Sequence, residues 1–169
     1  LSQGNQAVEL PRPDAAQIAG MLGAGSATMS VLCLLLARYW QAALYNVGGF
    51  SAEFKALSYR PGVTSVLVIA ALALYGLGLE YRAWAMICLI PMTFAGLALL
   101  HARAEMRGWG MGLLAGFYIA WLIFDPVKLL IVLFAIADSW LNFRQRWSRR
   151  SGTQVSRRDE HDDSDDRDN

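Results

Sequence analysis

Residues 18–37 read IAGMLGAGSATMSVLCLLLA, twenty positions without one ionisable side chain. A helix rises about 1.5 Å per residue, so a run of this length covers the roughly 30 Å hydrocarbon layer of a bilayer. Working outward from it, residues 18–143 contain four to five such apolar stretches, and the few charges collect at their ends. A backbone that cannot hydrogen-bond to water in lipid must satisfy itself, which leaves the helix as the natural form for these stretches. The fold expected is all-α: a polytopic transmembrane bundle of about five membrane helices.

The bulk composition agrees. Hydrophobic residues make up 55% of the 169 positions and charged residues 17%, against about 45–50% and about 25% in soluble domains. The formal net charge is +1, a near-balance that hides segregation of sign along the chain. Cys33 and Cys88 both lie inside apolar stretches, where inert buried thiols are expected rather than a disulfide. The chain opens on Leu1 with no basic leader or small-residue cleavage site, so further sequence is expected upstream.

The spacing predicts an extracytoplasmic loop over residues 1–15, a transmembrane domain over 16–147 and a disordered, charged cytoplasmic tail over 148–169. Within the domain, a first helix runs over 16–45 and ends where Arg38, Tyr39, Trp40 and Gln41 mark a headgroup level. A short amphipathic piece covers 50–59, with Phe54 and Leu57 toward lipid and Glu53 and Lys55 toward water. Arg60-Pro61-Gly62 makes a turn, and a second helix covers 63–79. Glu80, Tyr81 and Arg82 connect it to a third helix, 83–100, which Pro91 should bend. Residues 101–110 read as a polar connection. A fourth helix is expected over 108–124, and Asp125-Pro126 then starts a fifth, over 126–147, by N-cap carboxylate and N1 proline. A hairpin at Asp125 is preferred to one kinked helix, because a single helix over 108–143 would exceed 50 Å.

Alternating sides puts Arg38, Lys55, Arg60, Arg103, Arg107 and the arginines of 144–158 on one surface, and only Arg12, Arg82 and Lys128 on the other. Lys and Arg mark the cytoplasmic face, so the C-terminus is expected inside. The tail is too charged to fold alone; its basic half is suited to anionic lipid headgroups.

Signals of chemistry are sparse. The glycines at 20–25 lack the Lys-Ser/Thr of a phosphate loop, and His-Glu-x-x-His, Cys-x-x-Cys and Gly-x-Ser-x-Gly are absent from the sequence. His101 and His161 lie outside the apolar cores, so no metal site, catalytic residue, cofactor or nucleic-acid partner is expected. Two features remain. Gly108, Gly112, Gly116 and Ala120 recur every fourth residue, as do Ala16, Gly20, Ala24 and Thr28, which lets another backbone approach closely. Packing within the chain is the expected use, a contact with another membrane subunit or a second copy the alternative. Asp138 is an acid within an apolar helix and a functional candidate by default. Asn142 lies four residues on and Arg146 one turn further, while Arg38, Arg103 and Arg107 are the cations within reach. The expectation is a polar tie from Asp138 and Asn142 to an inner loop, with Arg103 among the partners.

The run from Met21 to Leu32, then Arg38-Tyr-Trp-Gln-Ala-Ala-Leu-Tyr-Asn, Gly48-Gly-Phe and the ending Ala137-Asp-Ser-Trp-Leu-Asn-Phe-Arg resemble the C-terminal half of the YybS-like family of bacterial integral inner-membrane proteins, whose function is unknown. The likeness spans residues 16–146. It implies a longer polytopic protein and transfers no catalytic residue. Three classes of function stay open: a small-molecule transport or substrate-binding membrane component, a scaffold for cytoplasmic or envelope-assembly partners, and, least supported, an intramembrane enzyme.

Overall fold

A computed structural model of the chain describes residues 12–143; the tail over 148–169, Arg146 and most of the N-terminal loop lie outside the described residues. Six α-helices follow one another: α1 (Ala15–Tyr45), α2 (Gly49–Ala56), α3 (Pro61–Leu77), α4 (Arg82–Met106), α5 (Met111–Ile123) and α6 (Asp125–Leu141), with a 3₁₀ turn at Leu79–Tyr81 between α3 and α4. No strand occurs among the described residues. α1 and the continuous unit Leu79–Met106 are each long and apolar enough to cross a membrane. Two bent pairs, α2 with α3 at 66° and α5 with α6 at 113°, bring the candidate spans to as many as four if each pair is one span.

α4 is the spine of the bundle. It buries Ala85, Met92, Ala95, Gly96, Leu97, Ala98, Leu99 and Ala104, whereas α1 buries only Gly20 and Ala42, and α5 buries none. The reason is side-chain size. Small residues at 95, 96 and 98 let neighbouring helices come close on several sides of α4 at once. At Gly96 an added Cβ would stand 2.6 Å from Ile131 Cγ2 and 3.0 Å from the Ile131 carbonyl carbon, so the α4–α6 crossing exists only because that side chain is missing. Met92, Ala95, Val132 and Ala135 close the core around it, with Tyr59, Leu67, Leu89 and Ile136 packed against them.

Elsewhere the apolar side chains point outward: Leu34, Leu44, Leu72, Leu122 and Phe134 are all more than half exposed. In water such a surface would be intolerable; in a bilayer it is the lipid contact.

Three polar contacts mark the ends of the bundle. At one end the Trp84 Nε1–H donates to the Ala16 carbonyl at 3.0 Å, over Gly20, whose missing Cβ makes room for the indole. At the other, Arg38 of α1 binds Glu53 of α2 through both carboxylate oxygens, and Lys55 of α2 pairs with Glu105 of α4 at 2.7 Å. α1 and α4 therefore run in the same direction, with α2 laid across their C-terminal ends.

Beyond shifts of one to three residues, such as α2 ending at Ala56 and α3 running over Pro61–Leu77, three boundaries differ from the sequence reading. α4 does not stop at Leu100 but continues through His101 to Met106; apolarity ends there, yet Ala102, Arg103, Ala104 and Glu105 are good helix formers. Gly108 is not the first residue of the next helix. It takes φ +63°, its N–H donates to the Glu105 carbonyl at 3.0 Å and the Trp109 N–H to Ala104 at 2.9 Å, which is the paired closure of a helix end that needs a left-handed residue. α6 ends at Leu141, because Asn142 adopts φ 48°, ψ 53°, a conformation Asn tolerates better than most residues; residues 144–147, where the helix was expected to continue, lie outside the described residues. The helix break falls at Phe124–Asp125, but Phe124 is the N-cap and Asp125 the first helical residue rather than the capping carboxylate expected, and the chain bends there by 113° instead of reversing fully.

A buried polar cluster and an apolar cleft

Asp138 is buried, 6% exposed, on the last turn but one of α6. Its neighbour Ser139 is buried as well and carries the visible tie: the Thr64 hydroxyl donates to Ser139 Oγ at 2.9 Å, and the Ser139 hydroxyl donates to the Tyr59 carbonyl at 3.0 Å. Thr64 is fully buried in the first turn of α3. This relay joins the C-terminal end of α6 to the α2–α3 connection and to α3 itself. In an apolar interior each of these hydroxyls needs its partner, since an unmade bond would leave a desolvated polar group.

Asn142, expected to share a face with Asp138, instead ends the helix. Its N–H donates to the Asp138 carbonyl at 2.8 Å, and the residue is exposed. Of the cations offered as partners for Asp138, Arg38 is engaged by Glu53, Arg103 is half-buried in the last turn of α4, and Arg107 is the exposed C-cap of that helix.

The two small-residue stripes behave differently. That of α1 meets α4 at Gly20, and Gly23 would bring a Cβ to 3.3 Å from Ile87 Cδ1. Along α5 no described atom lies within 4 Å of a Cβ built at Gly108, Gly112 or Gly116, so the packing expected there inside the chain is not made by the described residues; Ala120 alone faces inward, into the cleft between α5 and α6.

Sequence reasoning missed Thr64, Ser139 and Gly96. Thr64 and Ser139 had a signal, as isolated hydroxyls in apolar runs and, for Ser139, adjacency to Asp138. Gly96 had none, being one small residue among several. It also missed a row of rings along one end of the bundle: Tyr39, Phe50, Phe54, His101 and Tyr118 follow one another at centroid spacings of 5.6 to 6.0 Å. The His101 Nδ1–H donates to the Leu97 carbonyl at 2.8 Å, which leaves Nε2 to face the Tyr118 hydroxyl at 3.5 Å. Both cysteines are free; Cys33 is exposed rather than buried, and Cys88 is half-buried. Among the described residues no three His, Cys, Asp or Glu side chains group to hold a metal ion.

What the fold and its surface define is a class: an all-helical protein with two to four candidate membrane spans. No protein-family model, curated protein or solved structure matches the chain.

Proposed function

We propose that the chain is the membrane-embedded part of a small-molecule binding or transport component of the bacterial inner membrane. The observation that carries this is the buried Asp138, next in the chain to the hydrogen-bonded Ser139–Thr64 pair, within otherwise apolar helices. Ionisable and hydroxyl groups at membrane depth are costly, and they persist where a ligand or ion path uses them. The resemblance to YybS-like proteins supports the inner membrane. The gathering of Arg38, Lys55, Arg103 and Arg107 at one end supports a cytoplasmic C-terminus, with α3, α4, α5 and α6 each crossing after α1 for five crossings in all.

A screen of metabolites by thermal shift on the purified full-length protein tests the reading. A ligand that stabilises the wild type should lose its effect in Asp138→Asn while the ligand-free midpoint stays close to wild type. Absence of any stabilising metabolite, or an undiminished shift in Asp138→Asn, counts against it.

A scaffold is the second reading, favoured by apolar faces of α1 and α5 that no described residue covers and by basic groups that suit anionic headgroups or an acidic partner. Another membrane subunit or a second copy would cover those faces. Co-purification of a partner, lost on removing residues 148–169, would favour it.

A further inference from the structure

The chain bends by 113° at the Phe124–Asp125 junction, and the space between α5 and α6 is a cleft of about 400 Å³. Val127 and Ala120 line it near the junction, Phe117 and Phe134 further out, and Leu100 and Trp109 at the wide end. That volume falls in the range of small-molecule sites, about 300–1,000 Å³. Every lining residue is aliphatic or aromatic, a lining that favours an apolar occupant over water. Hydrocarbon is the occupant that a bilayer supplies.

The wide end carries the opposite chemistry. Trp109 is two residues beyond Arg107, the exposed C-cap of α4, and Arg103 lies one turn earlier. The Trp109 N–H bond to Ala104 folds this connection back onto the end of α4. α5 starts here from Gly110, so the N–H groups of Met111 and Gly112 have no intrahelical acceptor and the positive end of the helix dipole faces outward. Nothing stands within 4 Å of a Cβ at Gly108, Gly110 or Gly112, which leaves the backbone open to approach. The nearby acid, Glu105, is paired with Lys55.

A hydrocarbon slot beside an anion socket matches an amphiphile. We propose that this cleft holds an anionic phospholipid, one acyl chain between α5 and α6 and the phosphate at Arg107 and the start of α5. It is a resident lipid and stands independently of any transported ligand. Basic pockets between membrane helices recognise headgroups in this way, and the apolar slot adds selectivity for a chain.

Native mass spectrometry of the full chain from detergent, titrated with phosphatidylglycerol and phosphatidylcholine of equal chain length, tests the site. The wild type should retain one phosphatidylglycerol in preference to phosphatidylcholine. Arg107→Gln should reduce that preference roughly five-fold, the share of one basic residue, while Arg12→Gln should leave it unchanged. Ala120→Trp, which fills the slot, should abolish retention of both lipids. Shortening the acyl chains should weaken retention by the wild type, which keeps the test decisive if Ala120→Trp does not fold. Equal retention of the two lipids by the wild type would overturn the proposal. So would retention indifferent to chain length, or displacement by inorganic phosphate alone, since either would mean a headgroup site without the cleft.

Discussion

A side chain at Gly96 would collide with the backbone of Ile131, and backbone yields far less than a flexible side-chain tip. Gly96→Leu should therefore force α4 and α6 apart and lower stability by about 1–3 kcal/mol or more, the usual range for overpacking, seen as a lower unfolding midpoint in detergent. Gly112→Ala and Gly116→Ala meet open space and should be neutral or stabilising by up to about 1 kcal/mol through helix propensity; a loss of stability there would reveal a covering helix from elsewhere. Asp138→Leu should destabilise, because the acid is buried beside the Thr64–Ser139 relay. Lys128→Gln removes only an exposed pair with Asp125, worth about 1 kcal/mol at most. At this scale the sequence singled out Asp138 as an acid in an apolar run, and the residue is buried. It was silent about Gly96 and misleading about Gly108, because glycine spacing cannot tell a packing face from a helix terminator. Only φ at each position decides that.

Helices were legible where apolarity and helix propensity end together, as at the Asp125-Pro126 break, whereas Pro61, read as part of a turn, is the first residue of α3. They were misjudged where the two separate. Residues 101–106 are polar yet remain helical, so α4 extends past its apolar run and supplies Glu105 to Lys55 of α2. The Gly108 closure then redirects the chain. Gly108→Val should cost about 1–2 kcal/mol for a branched residue at φ +63°. It should also expose the connection between Met106 and Met111 to limited proteolysis. Protection equal to wild type would mean that α5 is oriented by its contacts with α6 and not by this turn. The 113° corner could not have been read from sequence, since Asp-Pro marks a break and says nothing of its angle.

For the whole molecule, the ends of the bundle carry the argument. Ala16 and Trp84 meet at one end, while Arg38, Glu53, Lys55 and Glu105 meet at the other. Arg60, Arg103 and Arg107 add to Arg38 and Lys55 there, and the proposed orientation makes that end the cytoplasmic one. In a background lacking Cys33 and Cys88, a cysteine at Tyr81 should react with a membrane-impermeant thiol reagent in intact cells. Cysteines at Ser58 and Arg107 should react only after permeabilisation. Labelling of position 58 or 107 from outside would reverse the orientation. A cysteine at Asp125, a highly exposed position, then decides the fate of α5 and α6. Thirteen residues of α5 span only about 20 Å, short of the hydrocarbon thickness. Reaction at 125 from outside would mean that α5 crosses a locally thinned bilayer and that five crossings stand. Protection equal to that of position 107 would make α5 and α6 a re-entrant pair, leaving three crossings with both limbs returning to the cytoplasmic side.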